Sequence, residues 1–243
     1  MKAILTWHSI DDSGSAISTA PGDLRRQLEW LARSDVDVLD LEGLANGGGP
    51  RDAVALTFDD AFENFASRAW PLLSDLGLPA TMFVPSGHTG RTNGWENGGR
   101  LPELPILRWE ALARLAEAGL VLGSHSMTHP DLRRLDDPAL RREVAEAADW
   151  IRRETGCEPC AFAYPYGAAD DRVASVVSEH HTLAVTTEFR ILGEAETAWR
   201  LPRLDAFYFR RAGRLEAFGG KEFASFVDRR RRLRKARRFF SRD

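Results

Sequence analysis

The chain has 243 residues, 43% hydrophobic and 28% charged, the composition of an ordinary globular protein with enough apolar material for one sizeable core. No run reaches the roughly 18 uninterrupted apolar residues of a membrane span, and two cysteines, Cys157 and Cys160, are too few for a disulfide framework. The net charge of -3 is unevenly placed: residues 228–243 carry nine Lys or Arg and two Asp, a balance of +7, against -10 on residues 1–227. An acidic body of this kind opposes a broad nucleic-acid footprint, so no nucleic acid is expected as a partner.

In chain order, residues 4–7 read as a short apolar strand ending at His8, and 22–32 carry Leu24, Leu28 and Leu31 at helical spacing. Gly47-Gly48-Gly49-Pro50 reads as a loop before a strand over 54–58. A helix is predicted over 61–76, with Phe62, Phe65, Ala69 and Leu73 on one side. Residues 79–84 form a strand closed by Pro85, 86–100 a long polar loop, and 108–118 an amphipathic helix stopped by Gly119. A strand over 120–123 leads into a histidine motif. Then follow a helix over 138–154 ended by Gly156, a strand over 161–164, a helix over 170–178 and a strand over 183–186.

This alternation, with no Pro/Ser/Gly-rich linker, predicts one α/β domain over residues 1–227 and a basic C-terminal tail over 228–243. In a parallel barrel the chemistry lies at the C-terminal ends of the strands. His8, Asp59, Asp60, His125, His129 and Tyr166 all fall at or just after such ends. The N-terminus lacks the apolar region of a secretion signal, so the expected location is cytoplasmic.

Two segments carry the chemistry: Thr57-Phe58-Asp59-Asp60 and Gly123-Ser124-His125-Ser126-Met127-Thr128-His129-Pro130. Two neutral imidazoles and one carboxylate can hold a divalent cation while leaving positions open for water and substrate, and a second carboxylate beside them can take a proton. Adjacent aspartates aimed into one pocket would repel, and a cation is a physical reason to keep them there. The plainer alternatives are a helix N-terminal cap for the aspartates and satisfied surface histidines for the pair.

With those residues in view, the sequence resembles the polysaccharide deacetylases, the NodB-homology group of carbohydrate esterases. The first motif is similar to TFDD, the second to HSxTHP, and Phe162-Ala163-Tyr164-Pro165-Tyr166-Gly167 to the PYG loop. Trp7-His8-Ser9-Ile10 resembles the YHSI-type opening of one branch, and Trp199-Arg200-Leu201-Pro202-Arg203-Leu204-Asp205 its closing segment. The resemblance implies a distorted (β/α) barrel of about seven strand-helix units and hydrolysis of an N-acetyl group from an amino sugar. It implies Asp60, His125 and His129 as metal ligands, Asp59 as catalytic base, and the backbone N–H of Tyr166 as an oxyanion donor.

The departures are specific. Ala61 stands where a glycine usually follows the aspartate pair, and Ala163 where many members carry an arginine near the base; Arg203 is the candidate to fill that space and hold Asp59 ionised. No histidine follows His181 to act as general acid. His8 is the candidate for the acid or for a substrate-orienting group, with a buried structural role as the alternative. His88, His180 and His181 are expected to be exposed.

One divalent metal is expected, zinc foremost, with Co, Ni, Mn or Fe suiting the same donors. The expected substrate is an N-acetylated sugar or glycan precursor, including a lipid-linked one. The same site could instead serve a deformylase or a small-molecule amidohydrolase, or persist in a non-catalytic metal- or carbohydrate-binding barrel. Cys157-Glu158-Pro159-Cys160 has no second pair and reads as incidental. Trp95 and Trp199 are candidates to stack on sugar rings. The basic tail reads as a frayed solvated helix or as a contact with an anionic membrane surface, which would put the protein at the inner membrane face.

Overall fold

Ala53-Val54-Ala55-Leu56-Thr57-Phe58 is apolar on both faces but for one threonine, the pattern of a strand covered from both sides, and all six residues are buried. This strand, β5, is interior to the sheet, paired along both of its edges. A computed structural model describes residues 1–95 and 101–240, with the backbone alone for 236–240.

The elements run β1 (Lys2–Trp7), β2 (Ser9–Ile10), β3 (Ser18–Thr19), α1 (Pro21–Arg33), β4 (Asp37–Leu39), α2 (Leu41–Ala45), β5 (Ala53–Phe58), α3 (Trp70–Asp75) and β6 (Thr81–Val84). They continue with α4 (Trp109–Glu117), β7 (Val121–Ser124), α5 (Asp137–Thr155), β8 (Ala161–Ala163), α6 (Asp171–Ser178), β9 (Leu183–Val185), β10 (Leu204–Asp205) and α7 (Lys221–Phe240). Seven strands lie in the order β10-β1-β5-β6-β7-β8-β9, and β4 pairs the first half of β5 on the side that β6 takes over from Thr57. Every pairing between these strands is parallel. Leu201 bridges to Val185 of β9 while Leu204 and Asp205 pair with Leu5 and Thr6 of β1, so one short segment joins the two ends of the curled sheet. This is the parallel α/β architecture that the alternation predicts, closed into the distorted (β/α) barrel that the resemblance implies.

The helices cover the outside. On α1 the buried face is Leu24, Gln27, Leu28 and Leu31, and each fully buried leucine contributes about 2 kcal/mol. Gln27 is satisfied there, accepting from Trp7 Nε1 at 3.0 Å and donating to the Phe209 carbonyl at 3.2 Å.

The helix expected over 61–76 is broken. Ala61 is left-handed (φ 51), a π-helical turn spans Phe65–Ala69, and α3 starts only at Trp70. Pro71 explains the wide turn, since it has no N–H for the Ser67 carbonyl four residues back and its ring would crowd that oxygen.

β10, β4 and α2 have no counterpart in the sequence reading. The part of the expected long loop at 96–100 lies outside the described residues, whereas Ser86–His88 before it forms a 3-10 turn. The chain position 227/228 falls inside α7, whose Phe223 and Val227 are buried, Phe223 stacking on Phe209 at 5.3 Å. No described helix is long and apolar enough to cross a membrane.

Candidate active site

The C-terminal ends of five strands, β1, β5, β7, β8 and β9, meet in one pocket of about 200 Å³. His8 after β1, Asp59 and Asp60 after β5, His125 and His129 after β7 and Tyr166 after β8 line it, with Thr187 after β9. Among the described residues, five non-glycine positions have positive φ, and all sit on these loops: Asp60, Ala61, Ser126, His129 and Tyr166. Backbone strain of this kind persists only where the surroundings over-determine it.

Asp59 and Asp60 are both buried but have opposite partners. Asp59 receives both forks of Arg203, Nη1 to Oδ1 and Nη2 to Oδ2, each at 2.7 Å. The guanidinium is buried as well. Its Nε donates to the Thr186 carbonyl at 3.0 Å and its Nη1 to Thr6 Oγ1 at 3.1 Å, so each of its three nitrogens is engaged. Burial alone would raise the Asp59 pKa. The charge and hydrogen bonds of Arg203, with lesser help from His125 and His8, reverse that and hold the carboxyl well below the usual carboxylate range. His8, half-buried, places Nε2 3.7 Å from Asp59 Oδ2.

Asp60 faces the histidines instead. Its Oδ1 is 3.5 Å from His125 Nε2 and 3.7 Å from His129 Nε2, and one ligand atom from each of the three residues lies within 4.8 Å of the others. Those separations are long for hydrogen bonds. They are near the ~3.4 Å that separates two ligands around a tetrahedral ion with bonds of about 2.1 Å. The tautomer of His125 is set from behind: Nδ1 meets the Ala163 carbonyl at 2.7 Å, so it carries the proton and leaves the Nε2 lone pair facing Asp60. Burial first, then the neighbouring His125, push the His129 pKa well below the usual histidine value, so this ring is also neutral. Two neutral imidazoles and a carboxylate, buried and convergent, fit a divalent cation.

Neither aspartate caps the following helix, so the cap alternative is overturned: Asp60 is left-handed (φ 69) and the Asp59 carboxylate is spent on Arg203. The histidine loop is no free surface loop either, since both rings are buried. Glu143, on the otherwise apolar face of α5, reaches up and accepts from Met127 N at 2.9 Å, Thr128 N at 2.8 Å and Thr128 Oγ1 at 2.6 Å. Ser126 Oγ accepts from His129 N at 3.0 Å. From the other side Gly87 N donates to the Met127 carbonyl at 2.8 Å, and a Cβ at Gly87 would meet that same oxygen at 2.9 Å.

Glu143 belongs to none of the motif segments. Its signal is a glutamate in step with Leu140, Val144 and Ala147 on the buried face.

The aromatic residues divide. Trp95 stacks on His129 (centroids 4.6 Å, 28°) and Tyr166 meets the same ring edge-on at 4.7 Å. Trp199 does not line the pocket; it donates from Nε1 to the His181 carbonyl at 3.2 Å. The expectation for His181 is corrected: it is 4% exposed, packed against Phe162 and without a hydrogen bond from either ring nitrogen among the described residues. Burial pulls its pKa down to about 4.

With the geometry in hand, residues 46–185, more than half of the chain, match the family model described as polysaccharide deacetylase. The chain belongs to the polysaccharide deacetylase family. Among its relatives is the poly-beta-1,6-N-acetyl-D-glucosamine N-deacetylase of Staphylococcus epidermidis, 24% identical over 210 residues that cover 78% of this chain and 70% of the relative. The Escherichia coli K12 enzyme of the same name is 24% identical over 206 residues, covering 68% of this chain but 30% of that longer protein. In fold the chain is similar to the Streptococcus pyogenes deacetylase PplD solved with acetate (TM-score 0.72, 23% identity, 84% of this chain and 91% of that one). It is equally similar to IcaB from Ammonifex degensii (TM-score 0.71, 22% identity, 85% and 94%).

Proposed function

We propose that the chain is a metal-dependent hydrolase that removes the acetyl group from an N-acetylated amino sugar in a glycan. One observation carries this reading. Two adjacent carboxylates have been given different work, Asp60 facing two neutral imidazoles and Asp59 held as an anion by Arg203 beside them. A barrel that only bound metal or sugar would have no use for the second.

A divalent cation, when bound, supplies a Lewis acid that lowers the pKa of a coordinated water and polarises the acyl oxygen. Asp60, His125 and His129 would hold it, with zinc as the proposed ion; cobalt, nickel, manganese and iron suit the same donor set. Asp59, ionised and fixed in direction by the two-pronged guanidinium, takes the proton of the attacking water. His8, 3.7 Å from that carboxylate, is the proposed donor to the departing amine. The Tyr166 N–H at the end of β8 is the proposed donor to the developing oxyanion, a contribution of about 3 kcal/mol for such groups.

The names of the relatives support a polymer of β-1,6-linked N-acetylglucosamine as the first substrate to assay. Acetate release is measured for the native protein, after stripping with a chelator, and after metal is restored. Activity is expected to vanish and return. Asp59→Asn is expected to lower kcat by about 10²–10⁴-fold while metal content is retained. A native protein that takes up metal yet releases no acetate from any oligomer overturns the reading.

A further inference from the structure

A second cavity of about 360 Å³ lies against the first and shares Thr187 with it. Four cations line it, Arg200, Arg231, Arg234 and Lys235, against one carboxylate, Glu188. That concentration runs against the body of the chain, where residues 1–227 carry -10. Three of the four come from one face of α7 at positions i, i+3 and i+4.

Part of this charge is answered within the protein. Arg200 pairs with Asp171 at 2.7 Å and Arg231 with Glu188 at 3.0 Å. Arg234 and Lys235 are not: among the described residues neither has a carboxylate at ion-pair distance. Arg234 is nevertheless held in place, lying 5.5 Å from the ring centres of both Phe189 and Tyr208 and donating to the Thr187 carbonyl at 3.4 Å. A positioned guanidinium and an ammonium converging on a concave space, with charge left over, match an oxyanion. The wall between the two cavities is thin, because Thr187 Oγ1 bonds the Tyr166 carbonyl at 3.2 Å and Tyr166 lines the catalytic pocket.

We propose that this groove is a subsite for an anionic part of the substrate, so that the preferred glycan carries a phosphate or carboxylate next to the acetamido sugar. The inference rests on the deacetylase reading above.

The test compares kcat/KM for acetate release from a neutral N-acetylglucosamine oligomer with that from oligomers bearing a phosphate monoester or a uronate. The native protein is expected to favour at least one anionic oligomer by about tenfold at low salt, the advantage shrinking as sodium chloride screens exposed charge. The phosphate and uronate arms tell which oxyanion is read. In Arg234→Gln/Lys235→Gln the anionic-to-neutral ratio falls about two- to tenfold, the range for two exposed charge pairs. Arg229→Gln/Arg232→Gln removes the same charge from outside the groove and leaves the ratio as in the native protein.

Equal kcat/KM for all oligomers in the native protein overturns the inference alone, as does an equal fall of the ratio in both double variants. So does a Gln variant that loses binding to phosphatidylglycerol vesicles with its ratio intact, which would make the face a membrane contact. Should no oligomer release acetate, the deacetylase reading falls and affinity decides the groove. Tighter binding of the phosphorylated oligomer, lost in Arg234→Gln/Lys235→Gln, then sustains it, and equal binding overturns it.

Discussion

The two ends of the barrel handle the left-handed backbone differently: among the described residues only glycine takes it at the N-terminal end, whereas at the C-terminal end glycines such as Gly167 (φ 66) share it with five larger residues. Where helices turn back into strands at the N-terminal end, the positive φ is given to glycine, at Gly119 (φ 104) after α4 and Gly156 (φ 72) after α5. No atom lies within 4 Å of where a Cβ would sit at either, so only conformation selects glycine there. At the C-terminal end the same conformation is imposed on Asp60, Ala61, Ser126, His129 and Tyr166, at roughly 1–2 kcal/mol apiece. One end is built for ease of turning. The other accepts strain because carboxylates and imidazoles must face a common point, and glycine cannot bring them there.

The largest effect expected at the strained end is at Arg203. Arg203→Ala leaves Asp59 buried with no counter-charge, and unfolding by denaturant should register a loss of about 3–5 kcal/mol. The native ion pair sets the folded pKa of Asp59 below its unfolded value, so its stabilisation is present above the unfolded pKa and is lost as pH falls. Without Arg203, burial pushes that pKa up and an acid limb should enter the activity profile. A variant as stable as the native protein, with no such limb, would detach Arg203 from the site.

His181 gives the next contrast, a buried histidine away from the pocket. Its folded pKa of about 4 lies below the ordinary 6.5, so the neutral ring stabilises fully above 6.5 and that contribution fades as pH drops toward 4. The pH-dependent part is about 3 kcal/mol. His181→Phe should flatten the melting temperature across that window with activity unchanged near neutral pH.

Smaller again, Glu143→Gln keeps the shape but removes the charge behind three hydrogen bonds to the histidine loop. We expect about 1–2 kcal/mol of stability lost and metal affinity down about tenfold by chelator competition. The least effect should come from exchanging the two ends' habits. Gly156→Ala is expected to cost about 1 kcal/mol, and Ala61→Gly to lie within about 0.5 kcal/mol of neutral, as relief of strain offsets the flexibility gained by the unfolded chain. Ala61 is fully buried in the core, so a large loss at Ala61→Gly would mean that packing of its methyl outweighs the strain.

Much of this was legible in the chain. β5 reads as a strand because both its faces are buried, and Asp59 and Asp60 read as site residues because they follow it directly. Gly119 and Gly156 mark helix ends by conformation alone. What escaped has physical causes. β10 is two residues long, shows no periodicity and owes its place to pairing with Leu5 and Thr6. The split in the helix after Asp60 follows from left-handed residues that the pocket imposes and from Pro71, neither of which disturbs the apolar spacing. Glu143 was visible only as a charge on the wrong face, and His181 resembled a surface histidine because burial depends on Phe162 and Trp199, distant in sequence.

The partner of Asp59 lies 144 residues further along the chain, on the segment that also joins the two ends of the sheet. A partly synthesised or clipped chain lacking that segment would keep its aspartate buried beside His8 and His125 but without the guanidinium that is its main counter-charge, and burial would then favour the protonated carboxyl. Competence for turnover is thereby tied to the seating of the short segment from Leu201 to Asp205, which carries the guanidinium that arms Asp59 while it latches the two edges of the sheet together.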